Sequence, residues 1–162
     1  NLVGQSISQV YLGTGSRLVH KDVKALRFLF LRIAFRLLGV GSIPLGILAF
    51  GGPWLFAKVF GNIWGSAGSY LQILCLAFLA QFMVVPLSQT VNLLEYQDWQ
   101  LKWDVFRLLL VFSSIFLTFI LGGTHWQAVG AYSFSTVIAY GVMFMMNLIL
   151  LDKHKNTFLG SL

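Results

Sequence analysis

Four stretches of this sequence are apolar for about the length that crosses a bilayer, and no other feature constrains the fold as strongly. A helix rises about 1.5 Å per residue, so about 20 apolar residues span about 30 Å of hydrocarbon. Spans of that kind run over about 28–50, 69–94, 102–121 and 126–151. A soluble fold is excluded by composition. Only 10% of the residues are charged and 57% are hydrophobic, whereas ordinary globular domains carry about 25% charged residues. Mean hydropathy is +0.80. The expected class is an all-α membrane protein with four transmembrane helices, and its first partner is the lipid bilayer.

The spans are punctuated in informative ways. In the first, the uninterrupted apolar part Leu37–Phe50 is too short alone, which draws Ile33–Arg36 to membrane depth. Arg32 and Arg36 then snorkel to headgroups or turn into a protein cavity. Gly51-Gly-Pro53 reads as the end of this helix, Trp54–Phe60 as an amphipathic turn with Lys58 toward water, and Gly61–Ser69 as a close-packed reversal. Pro86 bends the second span, and Gly122-Gly123 stops the third. Residues 2–12 read as a helix stub, so the chain is expected to be the C-terminal piece of something larger.

Charge sets the orientation. Ten of the 11 Lys and Arg residues fall on one side of an alternating four-span topology, and only Lys58 falls on the other. The basic side is expected to be cytoplasmic, with both chain ends there. Trp54, Trp64 and Trp126 fall at the outer boundary and Trp99 and Trp103 at the inner one, as indole rings prefer. The net charge of +6 is distributed between apolar runs and forms no nucleic-acid patch. Cys75, inside an apolar run, reads as a small hydrophobe.

The hairpin carries a pattern of its own: Gly-Pro-Trp-Leu-Phe-x-x-Val-Phe-Gly-x-x-Trp-x-x-Ala-Gly-x-Tyr-x-Gln-Ile-Leu, from Gly52 to Leu74. With Gly4-Gln-Ser-Ile-Ser-Gln9, Ser16-Arg-Leu18, Pro86-Leu-Ser-Gln-Thr-Val-Asn92, Glu95 and Trp103-Asp-Val-Phe-Arg107, it resembles the polysaccharide biosynthesis proteins. These are the O-antigen and capsule flippases of the multidrug/oligosaccharidyl-lipid/polysaccharide exporter superfamily. The resemblance implies the last four helices of a second lobe, a missing N-terminal lobe, and a bacterial inner-membrane location. It further implies alternating-access flipping of lipid-linked oligosaccharide or polysaccharide repeat units, with no enzymatic chemistry, no cofactor and no metal.

Gln81, Ser88 and Asn92 fall within roughly 40° of one another on an ideal helix. They form either a cavity wall that hydrogen-bonds sugar hydroxyls or glue between helices. Arg36, with Arg32 and Arg107, suits the pyrophosphate of such a substrate, and the same arginines also serve as positive-inside anchors. Glu95, Asp98 and Asp104 read as a solvated link, with Asp104 pairing Arg107. His20, His125 and His154 are scattered and form no metal site. Ala131, Ser135 and Ala139 form a small-residue packing seam. Three alternatives stay open: a cation-coupled drug antiporter of the same superfamily, a membrane-embedded glycan-assembly enzyme, and a non-transporting scaffold. No Walker-type phosphate loop occurs.

Overall fold

The computed structural model describes residues 2–19 and 23–159, and over these it contains helices joined by short turns and no strand. His20 and Lys21 lie outside the described residues, as do the side chains of residues 2–5 and 155–159. The helices are α1 (Leu2–Leu18), α2 (Val23–Phe60), α3 (Gly65–Val84), α4 (Gln89–Leu93), α5 (Gln97–Ile120) and α6 (His125–Leu159). Tight three-residue-per-turn segments occupy Asn62–Trp64 and Val85–Ser88. Four stretches are long and apolar enough to cross a membrane: Val23–Phe60, Asn62–Leu93, Gln97–Ile120 and His125–His154. The protein is an all-α, multi-pass membrane protein. The stub expected over 2–12 continues as helix to Leu18.

The first span differs from its sequence reading. Gly51-Gly-Pro53 does not end the helix, because α2 runs unbroken to Phe60 with both Pro44 and Pro53 inside it. A proline within a helix has no N–H to donate to the carbonyl four residues back. For Pro53 that carbonyl belongs to Ala49, and the Gln72 side-chain amide from α3 donates to it at 2.6 Å. The lost bond is thus replaced from the neighbouring helix.

The glycines explain how Gln72 comes so near. A Cβ added to Gly52 would lie 2.8 Å from the Gly68 carbonyl oxygen, and one added to Gly68 would collide with the backbone of Gly52 and Pro53. The two helices therefore cross backbone to backbone, which only glycine permits. The reversal between them turns at Gly61, whose φ of +101° lies in the region that side chains avoid.

The four long helices do not pack in chain order. α3 lies between α2 and α6, and α6 lies between α3 and α5. The consecutive spans α3 and α5 have no extensive contact. As the central element, α6 contributes Ala139, Tyr140, Met143, Met146, Leu150 and Leu151 to the core. At one end of the bundle these meet Tyr11 of α1, Leu26, Phe30 and Ala34 of α2, Val84 of α3, Leu87 of the following turn, Val91 of α4, and Trp103 of α5. Arg27 and Asp152 pair across this end at 2.6 Å. At the opposite end, Tyr70 stacks on Trp126 with ring centres 4.1 Å apart. Thr124 caps α6 there: its backbone N–H donates to Gln127 Oε1 at 2.8 Å, and the Gln127 N–H donates to Thr124 Oγ1 at 3.4 Å.

This crossing yields two expectations, both measurable by thermal unfolding in detergent. Gln72→Leu orphans the Ala49 carbonyl and destabilises by about 1–3 kcal/mol. Adding Pro53→Ala restores an intrahelical donor and recovers most of that loss, so the pair is strongly non-additive. Gly68→Ala forces the backbones apart at a cost of about 1–3 kcal/mol. Gly39→Ala, where a Cβ meets nothing within 4 Å, leaves stability unchanged or raises it.

Candidate functional site

Polar residues at membrane depth are few enough to place one by one. The continuous helix expected over 69–94 is interrupted by the tight turn Val85–Ser88, with Pro86 in its first positions. Such a turn advances about 120° per residue instead of about 100°, so Gln81, Ser88 and Asn92 do not share one straight stripe. Gln81 is exposed on α3 and its side-chain amide has no hydrogen-bond partner among the described residues. Ser88 is half-buried and its hydroxyl donates to the Val85 carbonyl at 2.8 Å. Asn92 is exposed and its Nδ2 donates to Gln89 Oε1 at 2.9 Å. None of the three bonds another helix among the described residues, so the interhelical work falls to other residues.

Arg32 and Arg36 occupy the face of α2 opposite its buried row Val23, Leu26, Phe30, Ala34, Leu37 and Gly41. The Arg32 guanidinium covers the Phe28 ring at 4.5 Å. Because α2 continues past Pro53, its uncharged run Leu37–Ala57 has about 21 residues and spans about 31 Å by itself. The reason for drawing Arg36 to membrane depth therefore disappears. Arg36 sits at the edge of the apolar run, exposed.

Arg107 does not pair with Asp104. Its Nη1 donates to the Tyr140 hydroxyl at 3.0 Å, and its guanidinium lies over the Trp103 ring at 5.0 Å. Asp104 instead accepts a long 3.4 Å bond from Gln100. Trp103 is 6% exposed and its indole N–H donates to the Ala139 carbonyl at 2.8 Å. Two members of the small-residue seam on α6, Ser135 and Ala139, meet α5. Ser135 accepts from Ser114 of α5 at 3.1 Å, and Ala139 lies fully buried beneath Trp103.

The bonds that join helices include some the sequence did not single out. Tyr11 and Thr90 share a buried hydroxyl–hydroxyl bond of 2.7 Å, and Ser133 of α6 donates to the Ile73 carbonyl of α3 at 2.7 Å. On α6 a periodic row was available as a signal: Ser133, Thr136, Tyr140, Met143, Asn147 and Leu150 recur every three or four residues. Thr136 Oγ1 and Asn147 Oδ1 in that row are buried without a partner among the described residues. Glu95 closes α4 with a φ of 61°, outside the usual range for a side-chain-bearing residue. Glu95, Asp98 and Asp104 are exposed. Among the described residues no group of three or more His, Cys, Asp or Glu could hold a metal ion. Cys75 is buried in the apolar interior.

No protein-family model, curated protein or solved structure matches this chain.

Asn147 provides a direct test of the buried row. Its Nδ2 is bound to the Met143 carbonyl of its own helix at 2.8 Å while its Oδ1 has no partner among the described residues. Asn147→Leu removes a desolvated acceptor at nearly constant volume, so the unfolding temperature in detergent rises or is unchanged. A marked fall would show that Oδ1 holds a partner.

Proposed function

We propose that this chain forms one wall of a pathway that moves lipid-linked oligosaccharide or polysaccharide repeat units across the bacterial inner membrane, by alternating access with a partner lobe. The observation that carries the reading is Gln81. Its side-chain amide is exposed and, among the described residues, unpaired on a span whose surroundings are apolar, and an amide facing hydrocarbon costs several kcal/mol. Such a face suits a water-filled cavity, where sugar hydroxyls exchange with water on the same donors and acceptors. Asn92, with Ser88 beside it, lies further along the same segment toward the basic end.

The basic end supports an inward orientation. Arg17, Lys24, Arg27, Arg32, Arg36, Lys102, Arg107 and Lys153 gather there among the described residues, and Lys58 alone lies at the other end, over Trp54 at 4.7 Å. Under the positive-inside rule that end faces the cytoplasm. Arg36, exposed at the boundary, is suited to meet an anionic substrate as it enters. The protein's part is binding and conformational gating, with no covalent step.

The test is surface-glycan complementation in a strain lacking the gene, using alleles with Gln81→Leu, Asn92→Leu or Arg36→Ala. Surface glycan is expected to fall severalfold for Gln81→Leu and Arg36→Ala at equal membrane abundance. Normal glycan with all three alleles removes these residues from the pathway.

A further inference from the structure

Arg107 is the guanidinium that α5 cannot keep out of the hydrocarbon. Beyond it the helix offers Leu108–Leu121, about 14 residues or about 21 Å, against about 30 Å to be crossed. The Gly122-Gly123 turn follows at once, with Gly122 at φ +68°, so the span cannot lengthen on that side. Against about 30 Å of hydrocarbon, this count puts the Arg107 backbone roughly 9 Å inside the boundary at the basic end. A charge at that depth requires partners.

The partners it has are neutral. Tyr140 takes one N–H and the Trp103 face takes the cation, while Trp103 is itself clamped to the Ala139 carbonyl and tilted against Tyr140 with ring centres 5.6 Å apart. Among the described residues no carboxylate pairs with Arg107. The guanidinium has five donors in a rigid plane, and its remaining donors have no protein acceptor among the described residues. It is held in place, half-buried and uncompensated.

We propose that Arg107, held by Trp103 and Tyr140, is a binding site for the phosphate group of a membrane lipid, which enters from the leaflet at the basic end. A phosphate oxygen pair matches the fork of a guanidinium. Lipid phosphates line the boundary above this depth, and a long arginine stem reaches toward that boundary. The phosphate site stands on the α5–α6 geometry alone. Only the identity of the lipid as a polyisoprenyl glycan carrier rests on the transport reading above.

The experiment uses the full chain purified in maltoside micelles, with lipid retention read by native mass spectrometry. Probes are a polyisoprenyl phosphate, phosphatidylglycerol and inorganic phosphate. The unsubstituted chain retains the polyisoprenyl phosphate, and Arg107→Gln lowers its occupancy at least tenfold. Arg107→Lys keeps a cation over Trp103 but loses the fork, so it retains an intermediate occupancy. Lys102→Gln removes one charge from the same helix and leaves occupancy unchanged. Arg107-dependent retention of both lipids alike supports the phosphate site and counts against a glycan-carrier role. Displacement of the lipid by millimolar inorganic phosphate supports the phosphate as the group recognised. Equal retention by the unsubstituted chain and by Arg107→Gln or Arg107→Lys overturns the proposal.

Discussion

A backbone carbonyl inside hydrocarbon has no water to turn to, and the α2–α3 crossing is where this protein meets that constraint most directly. Pro53 strips the Ala49 carbonyl of its helical donor, and Gln72 reaches across to supply another at 2.6 Å. The reach is possible because Gly52 and Gly68 let two backbones touch. Without the crossing, a 38-residue helix with two internal prolines would have to break at membrane depth, where each unsatisfied group costs several kcal/mol. With it, α2 and α3 form one closely packed hairpin against which α6 is laid.

Placing α6 between that hairpin and α5 divides the polar side chains into two populations. One population is spent on holding helices together: Ser133 on the Ile73 carbonyl, Trp103 on the Ala139 carbonyl, Ser114 on Ser135, and Tyr11 on Thr90. Lipid supplies no hydrophobic drive between helices, so such bonds and close small-residue contacts supply it instead. The other population points away from the bundle: Gln81 on α3 and Arg32 and Arg36 on the outer face of α2. Arg107 belongs to both, since it bonds Tyr140 of α6 while its other donors have no acceptor among the described residues. The functional proposals rest on this second population.

The flanking helices are dressed for lipid. On α5 the described side chains are exposed or half-buried except Trp103, and Leu101, Leu108, Phe112 and Phe119 are each about two-thirds exposed or more. In water such a surface would aggregate. In a bilayer it is a solvated surface.

The sequence by itself determined the class, the number of crossings and the side on which positive charge collects. These follow from run length, helix rise and the position of lysines and arginines, none of which depends on partners. It also made the Ala131–Ser135–Ala139 seam legible through its four-residue period. It could not determine whether Gly51-Gly-Pro53 stops a helix, because the answer lies in Gln72 and Gly68 on another helix. Nor could it say that Arg107 turns to Tyr140 rather than Asp104, or that α6 rather than α3 adjoins α5. Those are choices among neighbours, and only tertiary packing decides which neighbour a side chain has.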